Sequence, residues 1–237
     1  MVTDSKKINN LLKSLFKQFI VIVLYIFLTV LLQLLLIDLL KSNNNILEGL
    51  SYLLIELSVL LVFMFIFKKN LVYDLPDFKK KGKKYIKECF KYYGFGLLAM
   101  AISNIIISYF IGIASNESGN RELLGNLPIS SIINIIIIAP VVEELMVRVP
   151  LKDAINNKLI YCFISGLIFG GLHLIAAQSI YELFYIIPYG ALGFSLAYIY
   201  QKTNNVCANI FFHSFHNTIA VILIILGGLA WKKYYLL

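Results

Sequence analysis

The 237-residue chain has few charged residues, few cysteines and none of several common catalytic motifs. Only 14% of its residues are charged and 59% are hydrophobic, so it lacks the polar residues that would cover a soluble domain. Its three cysteines form no Cys-x-x-Cys pair, which argues against a disulfide framework and against a cysteine zinc site. The motifs His-Glu-x-x-His, Gly-x-Ser-Gly and Gly-x-Gly-Asp are also absent.

The hydrophobic residues are concentrated in runs near the length of about 20 residues that crosses a bilayer. We therefore predict an all-α fold, a polytopic membrane helix bundle of seven to eight transmembrane helices, with residues 1–237 forming a single membrane domain. Seven spans are predicted, at residues 19–40, 46–67, 92–114, 129–151, 159–177, 183–200 and 206–230. The first run is too long for a signal-peptide core, so we expect it to be retained.

Basic residues are distributed unevenly along the chain, which has a formal net charge of +8. Nine lysines lie within residues 68–91, and apolar side chains recur among them at helical spacing. This pattern predicts an amphipathic segment on the membrane surface, with anionic lipid bound from Lys79 to Lys91. A solvated basic loop is the alternative. The distribution favours lipid contact and topology over nucleic-acid binding, and no nucleic-acid partner is expected.

The same distribution predicts the orientation in the membrane. With a cytoplasmic N-terminus, the inner segments carry 16 basic residues and the outer segments carry 4. Cytoplasmic loops are enriched in Lys and Arg, so this orientation is favoured. The composition is rich in Lys, Asn and Ile, which indicates an AT-rich bacterial genome. We expect a multi-pass protein of a bacterial cell membrane.

Three charged residues follow a mostly apolar run that ends at Val142. One charge at the centre of a bilayer helix costs roughly 2.5–3.5 kcal/mol. Glu144 and Arg148 are four residues apart, so they share a helix face and are predicted to pair. Glu143 is rotated by about 100° from Glu144 and lacks that cation, so it is the predicted catalytic carboxylate. Alternatively, the charges lie at a helix end that reaches water.

Other polar side chains lie in the later spans. Phe169 and His173 share one helix face, and His213 and Asn217 share another. Counted at a rise of about 1.5 Å per residue, these groups reach a depth similar to that of Glu143. They are predicted to meet near the middle of the membrane, in a cavity open to the cytosol.

Other features of the predicted spans bear on the same cavity. Pro140 is predicted to kink its helix and to free the carbonyl of Ile136. Gly166 and Gly170 form a pair that lets another helix approach closely. Glu56 is predicted to face the cavity or to pair with an unidentified group, and His216 flanks the face that carries His213.

Three motifs, each on its own apolar segment, resemble those of a known family: Glu143-Glu144-x-x-x-Arg148, Phe169-x-x-x-His173 and His213-x-x-x-Asn217. In order and spacing they are similar to the CPBP family, the CAAX-protease and bacteriocin-processing intramembrane peptidases, also called abortive-infection-like. The resemblance covers residues 129–230, the predicted catalytic core helices. It implies a bundle of about eight helices around a conical cavity open to the cytosol, and endopeptidase chemistry near the C-terminus of a peptide.

The resemblance also implies roles for individual residues. Glu143 would activate water with His173, while His213 and Asn217 would stabilise the oxyanion. The remaining motif residues, Glu144, Arg148 and Phe169, would support the site. The family often has an aromatic residue before this arginine and a glycine after it, whereas here the neighbours are Val147 and Val149. Peptide hydrolysis needs a base and an oxyanion donor, and these residue types provide both.

The sequence predicts the cofactor requirement and the substrate class with the following alternatives. We predict no cofactor, with a zinc ion bound by the histidines and Glu143 as the alternative. The expected substrate is a membrane-associated peptide or a lipidated protein, in CAAX-type processing, bacteriocin or pheromone precursor maturation, or bacteriocin self-immunity. The alternatives are a non-catalytic immunity factor, a regulator of a sensor kinase, or an ion transporter that uses Glu56 and Glu143 as a relay.

Overall fold

A computed structural model describes residues 2–36, 45–126, 128–152 and 155–235, and in these ranges the chain forms helices joined by short turns, with no strand. The predicted all-α class is confirmed. The helices are α1 (Val2–Leu35), α2 (Asn45–Ile66), α3 (Lys68–Ile111), α4 (Ser115–Asn126), α5 (Pro128–Ile133), α6 (Ala139–Lys152), α7 (Lys158–Leu172), α8 (Ile186–Thr203) and α9 (Val206–Tyr235). A π-helical turn, Asn134–Ile138, joins α5 to α6, and a 3-10 turn, Ile180–Tyr185, precedes α8.

Among the described residues, five helical segments are long and apolar enough to cross a membrane: Leu12–Leu35, Ile46–Ile66, Lys68–Ile111, Ile180–Thr203 and Val206–Gly227. A multi-pass membrane protein is confirmed, but the predicted count of seven to eight spans is not. Of the other two predicted spans, the run from α5 to α6 carries several charges, and α7 has only 15 residues. Leu40, the predicted end of the first span, lies outside the described residues.

The lysine-rich segment is continuous with the span that follows it. Helix α3 has 44 residues and is therefore about 66 Å long, roughly twice the thickness of the hydrocarbon core. Its lysine-rich half packs on the start of α9, where the Val206 N–H donates to Asp74 Oδ2 at 2.8 Å and Asn205 Nδ2 donates to Asp77 Oδ2 at 3.1 Å. One face of the segment is covered by protein, while most of its lysines remain exposed. Contact with anionic lipid stays a prediction.

Helices α7 and α8 pack closely through glycines. A Cβ atom added at Gly166 would lie 2.8 Å from the carbonyl oxygen of Gly190, and one added at Gly170 would lie 3.1 Å from the Gly190 nitrogen. Contacts this short leave no room for a side chain, so the predicted close approach of a second helix at this pair is confirmed. The packing fixes the helix face that carries Phe169 and leads into His173.

The π-helical turn before α6 exposes a backbone carbonyl at the level of the motif residues. In this turn the Ala139 N–H donates to the carbonyl of Asn134, which is the i→i+5 pattern of a π-helix. The carbonyl of Ile135 would pair with residue 140 in that pattern, but Pro140 has no N–H. Asn217 Nδ2 donates to it instead, at 2.7 Å. The predicted free carbonyl, that of Ile136, was wrong by one residue because the turn is π-helical.

Candidate active site

The predicted ion pair of Glu144 and Arg148 is present and fully buried. Arg148 Nε lies 2.8 Å from Glu144 Oε2 and Nη2 lies 3.2 Å from Oε1, and both side chains are 0% exposed. Arg148 Nη1 donates to Ser165 Oγ at 2.8 Å, and the guanidinium lies 4.9 Å from the centroid of the Phe169 ring. The arginine is therefore held by a carboxylate, a hydroxyl and an aromatic face, in a geometry that offsets the cost of burying its charge.

Glu144 also binds helix α9, through two side chains. Asn209 Nδ2 donates to Glu144 Oε2 at 3.0 Å, and His213 Nδ1 lies 3.0 Å from Glu144 Oε1. Neither Asn209 nor Ser165 was predicted as a site residue from the sequence. Asn209 lies four residues before His213, and Asn217 lies four residues after His213, so all three share one helix face. The i,i+4 pattern could therefore have indicated Asn209. Ser165 gave no such signal.

Glu143 lies one residue away in a different environment. Its side chain is 24% exposed, and its Oε2 atom lies 4.0 Å from His173 Nε2 and 3.8 Å from His213 Nε2. Within the part of the chain that the structure describes, this buried oxygen has no hydrogen-bond partner. The two distances are longer than a direct hydrogen bond and match groups bridged by a small third molecule.

Both imidazoles present the same nitrogen to Glu143. His173 Nδ1 lies 2.9 Å from the carbonyl oxygen of Phe169, and a carbonyl only accepts, so the network assigns a proton to Nδ1. The ring is held between those of Phe169 and Tyr189, whose centroids lie 4.5 Å and 4.7 Å away. In His213 the Nδ1 atom faces the Glu144 carboxylate. In each ring, Nε2 is thus the atom left for chemistry.

These residues line a cavity of about 680 Å³. Its wall includes Glu143, His173, His213 and Asn217, together with polar side chains from several other helices: Tyr25, Tyr52, Glu56, Asn104, Asn134, Tyr189 and His216. Glu56 faces the cavity, as one of its two predicted interpretations required. The structure therefore brings together one or more polar groups from each of the three sequence motifs at a single internal surface.

The cavity extends toward one end of the helix bundle. It extends from Glu143 to helix α4, whose residues Asn116, Glu117, Asn120 and Arg121 line it. Helix α4 lies in the predicted outer loop, at the other end of α3 from the lysines. A cytoplasmic lysine-rich end and a cytosol-facing cavity therefore cannot both be correct. Depth along each helix can be estimated from the sequence. Spacing along one helix does not show on which side of Glu143 the side chains of neighbouring helices pack.

No group of three or more His, Cys, Asp or Glu side chains is arranged to hold a metal ion in the ranges that the structure describes. Glu143, His173 and His213 are close to one another, and they are the residues that the zinc alternative would use. Asn217, which contributes an amide, already donates one of its N–H groups to Ile135 and retains a second. Metal dependence therefore stays a prediction to be tested on the protein.

Residues 125–219 match the Rce1-like family, described as type II CAAX prenyl endopeptidase Rce1-like. This region contains all three motifs. The resemblance to the CPBP family is confirmed. In the structure the three motifs lie on α6, at the end of α7 and on α9.

Three bacterial proteins are similar to this chain. An uncharacterized protein of Mycoplasma capricolum is 32% identical over 211 residues, which cover 78% of this chain. The Bacillus subtilis protein named "Putative membrane peptidase YdiL" is 28% identical over 54% of the chain, and the UPF0177 protein YxdF of Lactococcus lactis is 31% identical over 46%. The aligned segments span only 51% to 59% of these relatives. No solved structure matches the chain.

Proposed function

We propose that this protein is an intramembrane endopeptidase in which Glu143 activates a water molecule to hydrolyse a peptide bond. The observation that carries the proposal is the Oε2 atom of Glu143, which faces two imidazole Nε2 atoms at 3.8 Å and 4.0 Å inside a cavity. A buried carboxylate without a cation beside it is costly in a membrane protein. Such a group is expected where it takes part in chemistry.

In the first step, a water molecule held between Glu143 Oε2 and His173 Nε2 attacks the carbonyl carbon of the scissile peptide bond. Glu143 accepts the proton that the water loses, as a general base. The fixed Nδ1–H of His173 leaves its Nε2 as an acceptor, which orients the second hydrogen of the water.

The tetrahedral intermediate that forms carries a negative charge on the former carbonyl oxygen. The free N–H of Asn217 and the Nε2 of a protonated His213 are the proposed donors to it. The Glu144 carboxylate, 3.0 Å from His213 Nδ1, stabilises positive charge on that ring. Collapse of the intermediate breaks the C–N bond, and the leaving amine takes the proton from Glu143. No metal ion takes part in this sequence, and no cofactor is proposed.

Glu144, Arg148 and Phe169 act in this scheme through the groups they hold. Glu144 joins α6 to α9 through Asn209 and His213, and Arg148 joins α6 to α7 through Ser165. Phe169 contacts Arg148 and both active-site imidazole rings. These contacts set the spacing between Glu143 and the imidazoles, so they position the catalytic groups rather than take part in proton transfer.

The proposed orientation places the N-terminus and the lysine-rich half of α3 in the bacterial cytoplasm. At this end, Lys83, Lys87, Lys91 and Lys202 line a groove with Lys84 and Glu88, and Lys91 and Lys202 both lie over the ring of Tyr92. The apolar, exposed flank of α3 begins next to it, at Phe90 and Phe95. A lipid with an anionic headgroup fits this arrangement, with its acyl chains along the flank.

The proposed substrate is a membrane-associated peptide or a lipidated protein, as the CAAX-type family supports. The experiment compares cells that contain the wild-type protein with cells that contain Glu143→Gln at equal abundance. Mass spectrometry of membrane and secreted peptides should reveal at least one peptide whose cleaved form requires Glu143. Identical peptide profiles, with both proteins correctly inserted, would instead favour a non-catalytic membrane factor.

A further inference from the structure

Glu56 is a second carboxylate in the cavity wall, and the proposed chemistry does not use it. It lies on α2, is partly buried, and lines the cavity together with Glu143. In the ranges that the structure describes, no cation and no hydrogen-bond donor contacts the Glu56 carboxylate. Because a carboxylate without a partner is costly in a membrane span, this group is expected to serve binding or chemistry.

Two other polar residues accompany Glu56 in this part of the wall. Tyr52 lies one helical turn before it on α2, so the two share a helix face, and the Tyr52 hydroxyl accepts a hydrogen bond from Asn134 Nδ2 at 2.7 Å. Asn134 is only 9% exposed, and its Oδ1 atom has no hydrogen-bond partner among the described residues. Both residues line the cavity. The wall thus presents a carboxylate and a buried amide oxygen, which are hydrogen-bond acceptors.

The π-helical turn connects these acceptors to the proposed catalytic centre. Asn134 is the first residue of the turn, and the next residue, Ile135, provides the carbonyl that Asn217 binds at 2.7 Å. Consecutive Cα atoms are about 3.8 Å apart, so Asn134 lies at the edge of the catalytic centre. A substrate bound at Asn217 therefore has Asn134 next to it.

The charges of the cavity wall favour a cationic group of the substrate. Among the described residues that line the cavity, one is basic, Arg121, and it lies 2.6 Å from Glu117. Glu56 has no such partner. The same wall contains many apolar side chains, such as Leu97 and Met100. The side chains of lysine and arginine combine an apolar stem with a cationic end, so they match both properties of this wall.

We infer that Glu56 and Asn134 form a subsite that binds a basic side chain of the substrate close to the cleaved bond. The Glu56 carboxylate pairs with the ammonium or guanidinium group, and the Asn134 oxygen accepts one of its N–H groups. The inference rests on the proposed function for the statement that the bound peptide is cleaved. The substrate class it names is a peptide with Lys or Arg near the scissile bond. Glu56 determines specificity in this account and takes no part in catalysis.

The first test measures binding to the full-length protein in detergent, which does not depend on catalysis. The probes are short labelled peptides of Ala, Gly and Leu with one Lys, placed in turn at each central position. Each has a twin with norleucine at that position, which keeps the alkyl stem and lacks the ammonium group. We expect at least one Lys peptide to bind about tenfold more tightly than its twin, since a hydrogen bond to a charged group contributes that much or more.

Three variants identify the residue responsible for this preference. Glu56→Gln should abolish it, and Glu56→Asp, which keeps the charge, should retain part of it. Glu48→Gln is the matched control, because Glu48 lies in the first turn of α2 and is not among the residues that line the cavity. Equal binding of every Lys peptide and its twin by the wild-type protein would overturn the inference, and this comparison needs no variant to fold. A preference that persists in Glu56→Gln would overturn it as well.

A second measurement separates the inference from the proposed function. Peptides of varied sequence are incubated with the wild-type protein, and the cleaved bonds are identified by mass spectrometry. We expect Lys or Arg to be enriched at one position near the cleaved bond, and the enrichment to fall to background with Glu56→Gln. Cleavage without enrichment would overturn the subsite and leave the proposed function intact. A binding preference without any cleavage would support the subsite and contradict the proposed function.

Discussion

The two adjacent carboxylates of α6 differ more in environment than their positions suggest. Glu144 is 0% exposed and accepts hydrogen bonds from an arginine, an asparagine and a histidine. Glu143 is 24% exposed, and its Oε2 atom, which has no hydrogen-bond partner among the described residues, faces two imidazoles. A rotation of about 100° between neighbouring residues is enough to place one carboxylate in a closed core and the next in a cavity.

The difference extends to the two ends of the molecule. On the Glu144 side lie a packed core and the lysine-rich surface, and on the Glu143 side lies the cavity that ends at α4. The fully buried charges, Glu144 and Arg148, are paired with each other. The proposed catalytic carboxylate, Glu143, lies in the cavity instead. We expect substitutions on the closed side to act on stability, and those on the open side to act on cleavage.

The largest effect on stability is expected from breaking the buried pair. Glu144→Gln leaves the Arg148 charge without its counter-charge, which costs roughly 3–5 kcal/mol, and Arg148→Met should have a similar effect. The double variant should recover part of this loss because both charges are gone. Thermal melting in detergent measures all three variants. A double variant as unstable as the sum of the single ones would show that the two residues do not act as a pair.

A smaller loss is expected at Ser165. Replacing it with Ala removes the hydroxyl that binds Arg148 Nη1 at 2.8 Å, and a hydrogen bond to a charged group contributes roughly 1.5–3 kcal/mol. Ser195→Ala is the matched control. The Ser195 side chain is also buried, and its hydroxyl donates to the Tyr92 carbonyl at 2.7 Å. Neither of these two groups is charged. Equal destabilisation by the two variants would argue that Arg148 does not depend on Ser165.

Replacing lysines at the lysine-rich end of α3 should affect lipid binding alone. A variant in which Lys83, Lys87, Lys91 and Lys202 are changed to Gln is compared with one in which Lys68, Lys69, Lys79 and Lys80 are changed, so that both lose equal charge. Binding to vesicles with anionic phospholipid should weaken about tenfold more for the first variant, about 1.4 kcal/mol. Free phosphate should not compete. Equal weakening would indicate general attraction to the surface and no groove site.

The smallest effect is expected from chelation. The purified protein should contain no stoichiometric zinc and should keep its activity and melting temperature in the presence of a chelator, because the scheme assigns His173 and His213 to proton and oxyanion chemistry. Elemental analysis and the cleavage assay provide the measurement. One zinc per chain, lost together with activity, would identify these histidines as metal ligands.

The sequence predicted contacts best where the two residues lie close together in the chain. The pairing of Glu144 with Arg148 follows from i,i+4 spacing, and the close packing at Gly166 follows from the glycine pair. Contacts between helices were not predictable in the same way. The bond from His213 to Glu144, the hydroxyl of Ser165 and the packing of α3 on α9 depend on tertiary arrangement.

One prediction was wrong in detail because of the backbone geometry, and another depends on side-chain packing that the sequence does not show. Pro140 was correctly associated with a freed carbonyl, but the π-helical turn moved that carbonyl to Ile135, where Asn217 binds it. The opening of the cavity was predicted from depth along single helices. Which side of Glu143 is filled depends on side chains from several helices, among them Tyr161 and Arg148, and spacing along one helix contains no information about that.

The central claim is that Glu143 performs the chemistry and Glu144 holds the site together. It is tested most directly by measuring cleavage and thermal melting together for Glu143→Gln and Glu144→Gln, with the peptide that the mass-spectrometric comparison identifies. Glu143→Gln should lose at least 10²- to 10⁴-fold in cleavage rate, about the contribution of a general base, with a melting temperature close to wild type. Glu144→Gln should melt at a clearly lower temperature. A Glu143→Gln protein that cleaves normally, beside a stable but inactive Glu144→Gln protein, would contradict the account.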